Sequence, residues 1–113
     1  MKFMDDITPA IKVITDIFEK EYGKYDIEIS FRSGMGKKLG CTQFSEDGFP
    51  VEICLSDNLR INRFPFTLMH ELAHVHAGFS NRHNKKWNET FNNIIWLVSE
   101  YYTKNYNHKI TGE

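Results

Sequence analysis

The sequence predicts an α+β fold: an N-terminal helix, a small antiparallel sheet of about three strands, a second helix built around an H-E-x-x-H segment, and a long C-terminal helix. Three observations predict it. Apolar residues recur at helical spacing over 10–22, 64–79 and 87–102; the period switches to two at Tyr25; and Gly, Pro, Ser and Asp clusters punctuate the boundaries. At 113 residues the chain is one domain, able to bury a single core but not a second folded unit.

Thr8 and Pro9 read as the N-cap and first residue of a helix, after which Ala10, Ile11, Ile14, Ile17, Phe18 and Tyr22 repeat every three or four positions until Gly23. From there Tyr25, Ile27, Ile29 and Phe31 alternate with Asp26, Glu28, Ser30 and Arg32, the pattern of a strand with one buried face. Residues 33–40 form a glycine-rich loop. Its Gly36-Lys37 pair is not a phosphate loop, which would need glycine in place of Phe31 and Ser or Thr in place of Lys38. Residues 41–44 and 51–55 read as a hairpin, with Ser45-Glu46-Asp47-Gly48 as its turn, Pro50 opening the third strand, and Val51, Ile53 and Leu55 on one face. Ser56 caps a short helical turn over 57–61.

The next helix takes Pro65 in its first turn and Gly78 as its stop. Projected at about 100° per residue, Leu68, Leu72, Val75 and Phe79 fall opposite His70 and His74 and form an apolar back. A short loop, 79–83, leads to the last helix, whose Trp87, Phe91, Ile94, Ile95, Val98, Tyr101 and Tyr102 share a face that packs over its predecessor. The polar tail from Asn105 to Glu113 is expected to fray.

His70-Glu71-Leu72-Ala73-His74 is the segment with chemistry in it. Residues four apart on a helix differ by roughly 40° of rotation, so both imidazoles reach one ion, and the pattern is a zinc-site signature. Glu71, roughly 100° round from His70, is poorly placed to ligate and well placed to take a proton from water beside the metal. His76 projects away from the pair and reads as a surface or packing histidine. A catalytic zinc takes three protein ligands and keeps one position open, so a third ligand must join. His83 and Glu89 are the candidates. Glu89 projects away from the apolar stripe toward solvent, whereas His83 follows a glycine-containing loop able to fold back on the metal, with Trp87 one turn later to anchor the new helix; His83 is preferred.

Composition bears on several other classes, and leaves DNA binding unsupported without excluding it. Fourteen Lys plus Arg against 15 Asp plus Glu leave a formal charge of −1, so the overall basic field that drives non-specific nucleic-acid binding is missing. The small basic groups at Lys37-Lys38, Arg60 with Arg63, and Arg82 with Lys85-Lys86 read as solvated faces. Two cysteines, Cys41 and Cys54, cannot build a thiolate zinc ribbon. The N-terminus lacks the apolar run of a signal peptide and no segment reaches transmembrane length, so a cytoplasmic protein with free thiols is expected.

Taken together, residues 53–59 (Ile-Cys-Leu-Ser-Asp-Asn-Leu), 67–74 (Thr-Leu-Met-His-Glu-Leu-Ala-His) and 83–87 (His-Asn-Lys-Lys-Trp) resemble a SprT-like zinc metallopeptidase domain, the family that includes the Spartan-type DNA-associated proteases. The likeness covers roughly residues 40–98. It implies a minimal zincin-like arrangement in which His70, His74 and His83 ligate zinc and Glu71 is the catalytic base of a zinc metalloendopeptidase acting on protein or peptide substrates. The family's frequent C-terminal cysteine ribbon is missing, and partnership with DNA, which the resemblance suggests, has no support in the charge. Two other classes stand beside this one: an ImmA/IrrE-type regulatory peptidase acting on a repressor, and a non-catalytic zinc-stabilised interaction module. Glu71 weighs against the module, since a structural site needs no base and closes with a fourth ligand. Tyr101 and Tyr102 are candidates for a second oxyanion donor, although tyrosines on an apolar helical face are usually core.

Overall fold

The computed structural model describes residues 1–3, 9–60, 62–79 and 83–111, without the side chains of 2, 3, 10 and 106–111. The expected N-cap Thr8, Ile61 at the end of the turn after Ser56, positions 80–82 of the loop after the motif helix, and the last two residues of the tail lie outside the described residues. The elements run β1 (Lys2–Phe3), α1 (Pro9–Tyr22), β2 (Glu28–Arg32), β3 (Gly40–Phe44), β4 (Pro50–Ser56), α2 (Phe64–Ala77) and α3 (Lys85–Thr111). The α+β class is as the sequence predicts.

The sheet differs from the expectation of an antiparallel one. It is mixed, in the order β1-β2-β4-β3, with β2 parallel to both β1 and β4 and only the β3–β4 hairpin antiparallel. After β2 the chain crosses to the far edge, runs back along β3, and inserts β4 between β2 and β3. Central placement buries β4 on both faces: Ile53 and Leu55 face the core, and Cys54 and Ser56 are covered on the other side. Val51 departs from the face it was expected to share with Ile53 and Leu55 and is exposed, because it stands at the register shift, between Pro50 paired with Phe44 and Glu52 paired with Gln43. The hairpin turn closes where predicted, with Ser45 N–H donating to the Phe49 carbonyl and Gly48 taking φ 85°, a left-handed value that favours glycine.

Helix α1 buries Ile11, Ile14, Thr15 and Phe18 and ends at Gly23, whose N–H donates to the Glu19 carbonyl at 2.8 Å. Helix α2 has Pro65 in its first turn and stops at Gly78 (φ 95°), as its sequence signals. It touches β3, β4, α1 and α3, so burial extends past the predicted apolar back to Thr67, Met69, Glu71 and Ala73. Phe79 is not part of that back. It lies beyond the helix stop, exposed, with its ring edge-on to Phe44 at 5.4 Å.

Helix α3 begins with Asn84 as its cap, the Oδ1 accepting from Trp87 N–H at 2.9 Å. Trp87, Ile94 and Val98 are buried against α2 and α1, with Phe91 and Ile95 partly so. Tyr101 and Tyr102 fall outside the core and are exposed, and the helix continues to Thr111 where a frayed tail was expected. No described helix is long and apolar enough to cross a membrane.

Candidate metal centre

Helix α2 supplies His70 and His74 one turn apart, and the segment leading into α3 returns His83 to the same point. The ligating atoms of the three imidazoles all lie within 4.8 Å of one another, a group that could hold a metal ion. Trp87 fixes this return: its indole stacks on His83 at 3.9 Å with the planes 18° apart, and its Nε1–H donates to the His70 carbonyl at 3.3 Å. One side chain thereby ties α3 to α2 and orients the third imidazole. Phe91 stacks on the other end of Trp87 at 4.8 Å, and Phe66 meets Phe91 edge-on at 5.3 Å, so an aromatic ladder runs from the centre to the α2 surface.

Glu89, the other candidate third ligand, is outside the group. It is exposed on α3 and faces Lys85, 3.9 Å away. His76 is also outside it, packed on the Tyr22 ring at 4.2 Å with its Nδ1 3.0 Å from the Tyr25 hydroxyl, the packing role its projection predicts. Tyr101 and Tyr102 stack edge-on against each other some 20 Å along α3 from Trp87, too far to reach the centre.

Glu71 lies beside the triad and is 5 % exposed. Burial pushes its carboxyl pKa up, and a hydrogen bond from Thr42 pulls the other way. The sequence alone does not reveal that bond. Thr42 Oγ1 donates to Glu71 Oε1 at 2.8 Å and stands 3.2 Å from the Glu71 carbonyl. Alternation in β3 gives the only hint: Thr42 pairs with Ile53, whose side chain faces the core, so its hydroxyl must face α2. Gly40, two residues earlier on the same face, is required by closeness, since a Cβ there would lie 3.1 Å from Thr67 Cγ2 and 3.3 Å from Glu71 Cγ.

Burial, then the neighbouring His70, then His83, hold the His74 imidazole down to about 4, and burial followed by His83 lowers His70. Both are therefore neutral near pH 7, the form that ligates a metal. The centre opens into a cleft of about 360 Å³ whose walls include Lys38, Thr42, Phe44 and Phe79. Strand β3 forms one wall and is an edge of the sheet. Cys41, also on that wall, pairs across the hairpin with Cys54; both are free thiols, and burial pushes Cys54 up to about 12. Comparison with family models, with curated proteins and with solved structures returns no match.

Proposed function

We propose that this chain is a zinc-dependent metallopeptidase of the SprT-like kind, hydrolysing peptide bonds in protein substrates. The observation that carries the reading is the convergence of three imidazoles from α2 and the start of α3 on one point, with the buried Glu71 beside it and outside the donor set. Three imidazole nitrogen donors suit catalytic zinc, and the carboxylate that a closed structural site would not need is present.

When bound, zinc supplies a Lewis acid that polarises a carbonyl and makes water more acidic. The remaining work belongs to the chain. His70, His74 and His83 hold the ion, with His83 steadied by the Trp87 face. Glu71 takes the proton of the attacking water and returns it to the leaving amine. Burial raises its pKa toward the working range of a general base, and Thr42 holds the carboxylate in place through Oε1. Strand β3 lies alongside and is an edge of the sheet among the described residues, which suits a substrate held extended through main-chain hydrogen bonds.

The test is metal analysis together with proteolysis of an unfolded protein, with and without DNA, by wild type and Glu71→Gln. Zinc near one equivalent with Glu71-dependent cleavage supports the reading. Zinc binding without any Glu71-dependent cleavage transfers the chain to the interaction-module class.

A further inference from the structure

A second cleft, of about 280 Å³, opens on the opposite side of Glu71 from the Phe44–Phe79 wall. The two clefts share Gly40, His70 and Glu71 as lining, so both border the candidate centre. Beyond Glu71 the character of the walls changes. Leu39, Phe66 and Thr67 line this side, with Arg63 as its one cationic side chain. Leu39 is 42 % exposed and Phe66 is 55 % exposed, although each belongs to a residue type that gains most from burial. Neither is loose: Leu39 is held through its carbonyl, which accepts from Ser56 N–H at 2.9 Å, and the Phe66 ring is braced edge-on by Phe91. Two apolar side chains are thus kept open, facing one cleft, beside the carboxylate.

We propose that this cleft is a specificity site, which takes the branched aliphatic or aromatic side chain of the substrate residue adjoining the bond at Glu71. The proposal rests on reading the centre as a metal-dependent peptidase and names which chain segments it prefers. Size supports a single side chain as occupant. A cavity of about 150 Å³ holds a benzene ring, so 280 Å³ admits one phenyl or isobutyl group with its backbone and no packed element. Gly40 borders both clefts, and because it has no Cβ, β3 lies close against Glu71 and Thr67 there. A carboxylate or a small polar side chain in the same cleft would leave Leu39 and Phe66 uncovered.

Hydroxamates of leucine, aspartate and glycine test this, because they share a metal-chelating head and differ only in the side chain beside it. Their dissociation constants are measured on the zinc-loaded wild type, on Phe66→Ala and on Leu39→Asp. The leucine compound should bind roughly 10-fold or more tighter than the glycine compound, the gain expected from burying an isobutyl group, and the aspartate compound no tighter than glycine. In both variants the leucine advantage should collapse while zinc content and glycine hydroxamate affinity stay unchanged. Equal affinities in wild type, or a leucine advantage that survives in both variants, overturns the proposal. Failure of the peptidase reading has a different signature: the leucine preference persists and no Glu71-dependent cleavage is found. A protein that binds no zinc overturns both.

Discussion

Thr42 and Glu71, 29 residues apart in the chain, meet with 2.8 Å between the threonine hydroxyl and Oε1. A hydrogen bond to a buried carboxylate is worth more than a neutral one, and its loss leaves the charge without its partner. Thr42→Val keeps the shape of the side chain and removes the donor. Peptidase kcat/KM should fall roughly 10-fold with zinc content unchanged, and Thr42→Ser should restore most of it. Wild-type activity in Thr42→Val would remove Thr42 from the mechanism.

Glu71→Gln retains an acceptor for the Thr42 hydroxyl and removes the basic oxygen. Activity should drop by roughly 10²-fold or more, the scale of a lost general base. Zinc content and melting temperature should barely change, because the substitution relieves the burial of a charge and leaves the packing of α2 intact. A variant that loses zinc or unfolds would mean that Glu71 is structural.

His83→Ala should cut zinc occupancy sharply, since it removes one of three donors. Glu89→Ala should leave occupancy as it is, because Glu89 is exposed and its 3.9 Å approach to Lys85 is a surface pair of the kind worth little. Metal quantification after dialysis against a weak chelator separates the two. The opposite pattern would make Glu89 the third ligand.

Stability of the metal-free protein should decline as pH falls from about 6.5 toward 4. His74 is held at about 4 when folded, against 6.5 in an unfolded chain, so within that window the unfolded state binds a proton that the folded state refuses. Stability therefore rises with pH across the window and is lost on the way down. His70 and His76, lowered first of all by burial, act in the same direction. Glu71 acts against them: raised above 4.5, it favours the folded state in acid and costs stability as pH climbs through its folded value. With three histidines against one carboxyl, the urea midpoint should be lower at about pH 5 than at about pH 7.5. Added zinc should widen the gap, because it binds only deprotonated imidazoles.

Much of this arrangement is legible in the sequence because the helices and strands carry it in their periods. The caps at Pro9, Gly23, Pro65 and Gly78 are local chemistry, and the i,i+4 histidines follow from helical geometry alone. Sheet order was not legible. A two-residue period says which face of a strand is buried but nothing about its neighbour, so the parallel β2–β4 pairing and the two-residue β1 leave no mark in it. The Thr42–Glu71 bond depends on that same tertiary pairing, and a lone threonine in an alternating strand gives no sign of it. Phe79 continues the helical projection in sequence, but the helix itself stops at Gly78. Tyr101 and Tyr102 follow the α3 stripe in sequence, but the helix there has outrun the core it packs on.

The stacking of Trp87 on His83 at 3.9 Å also gives the centre its own optical label. The chain holds two tryptophans, and the other, Trp96, is 61 % exposed on α3. Collisional quenchers dissolved in water reach Trp96 first, leaving the emission of the buried indole. An ion drawn to His83 alters the electron density of the ring lying flat against that indole, so the residual fluorescence should change in step with metal loading and give a titration curve without any added dye.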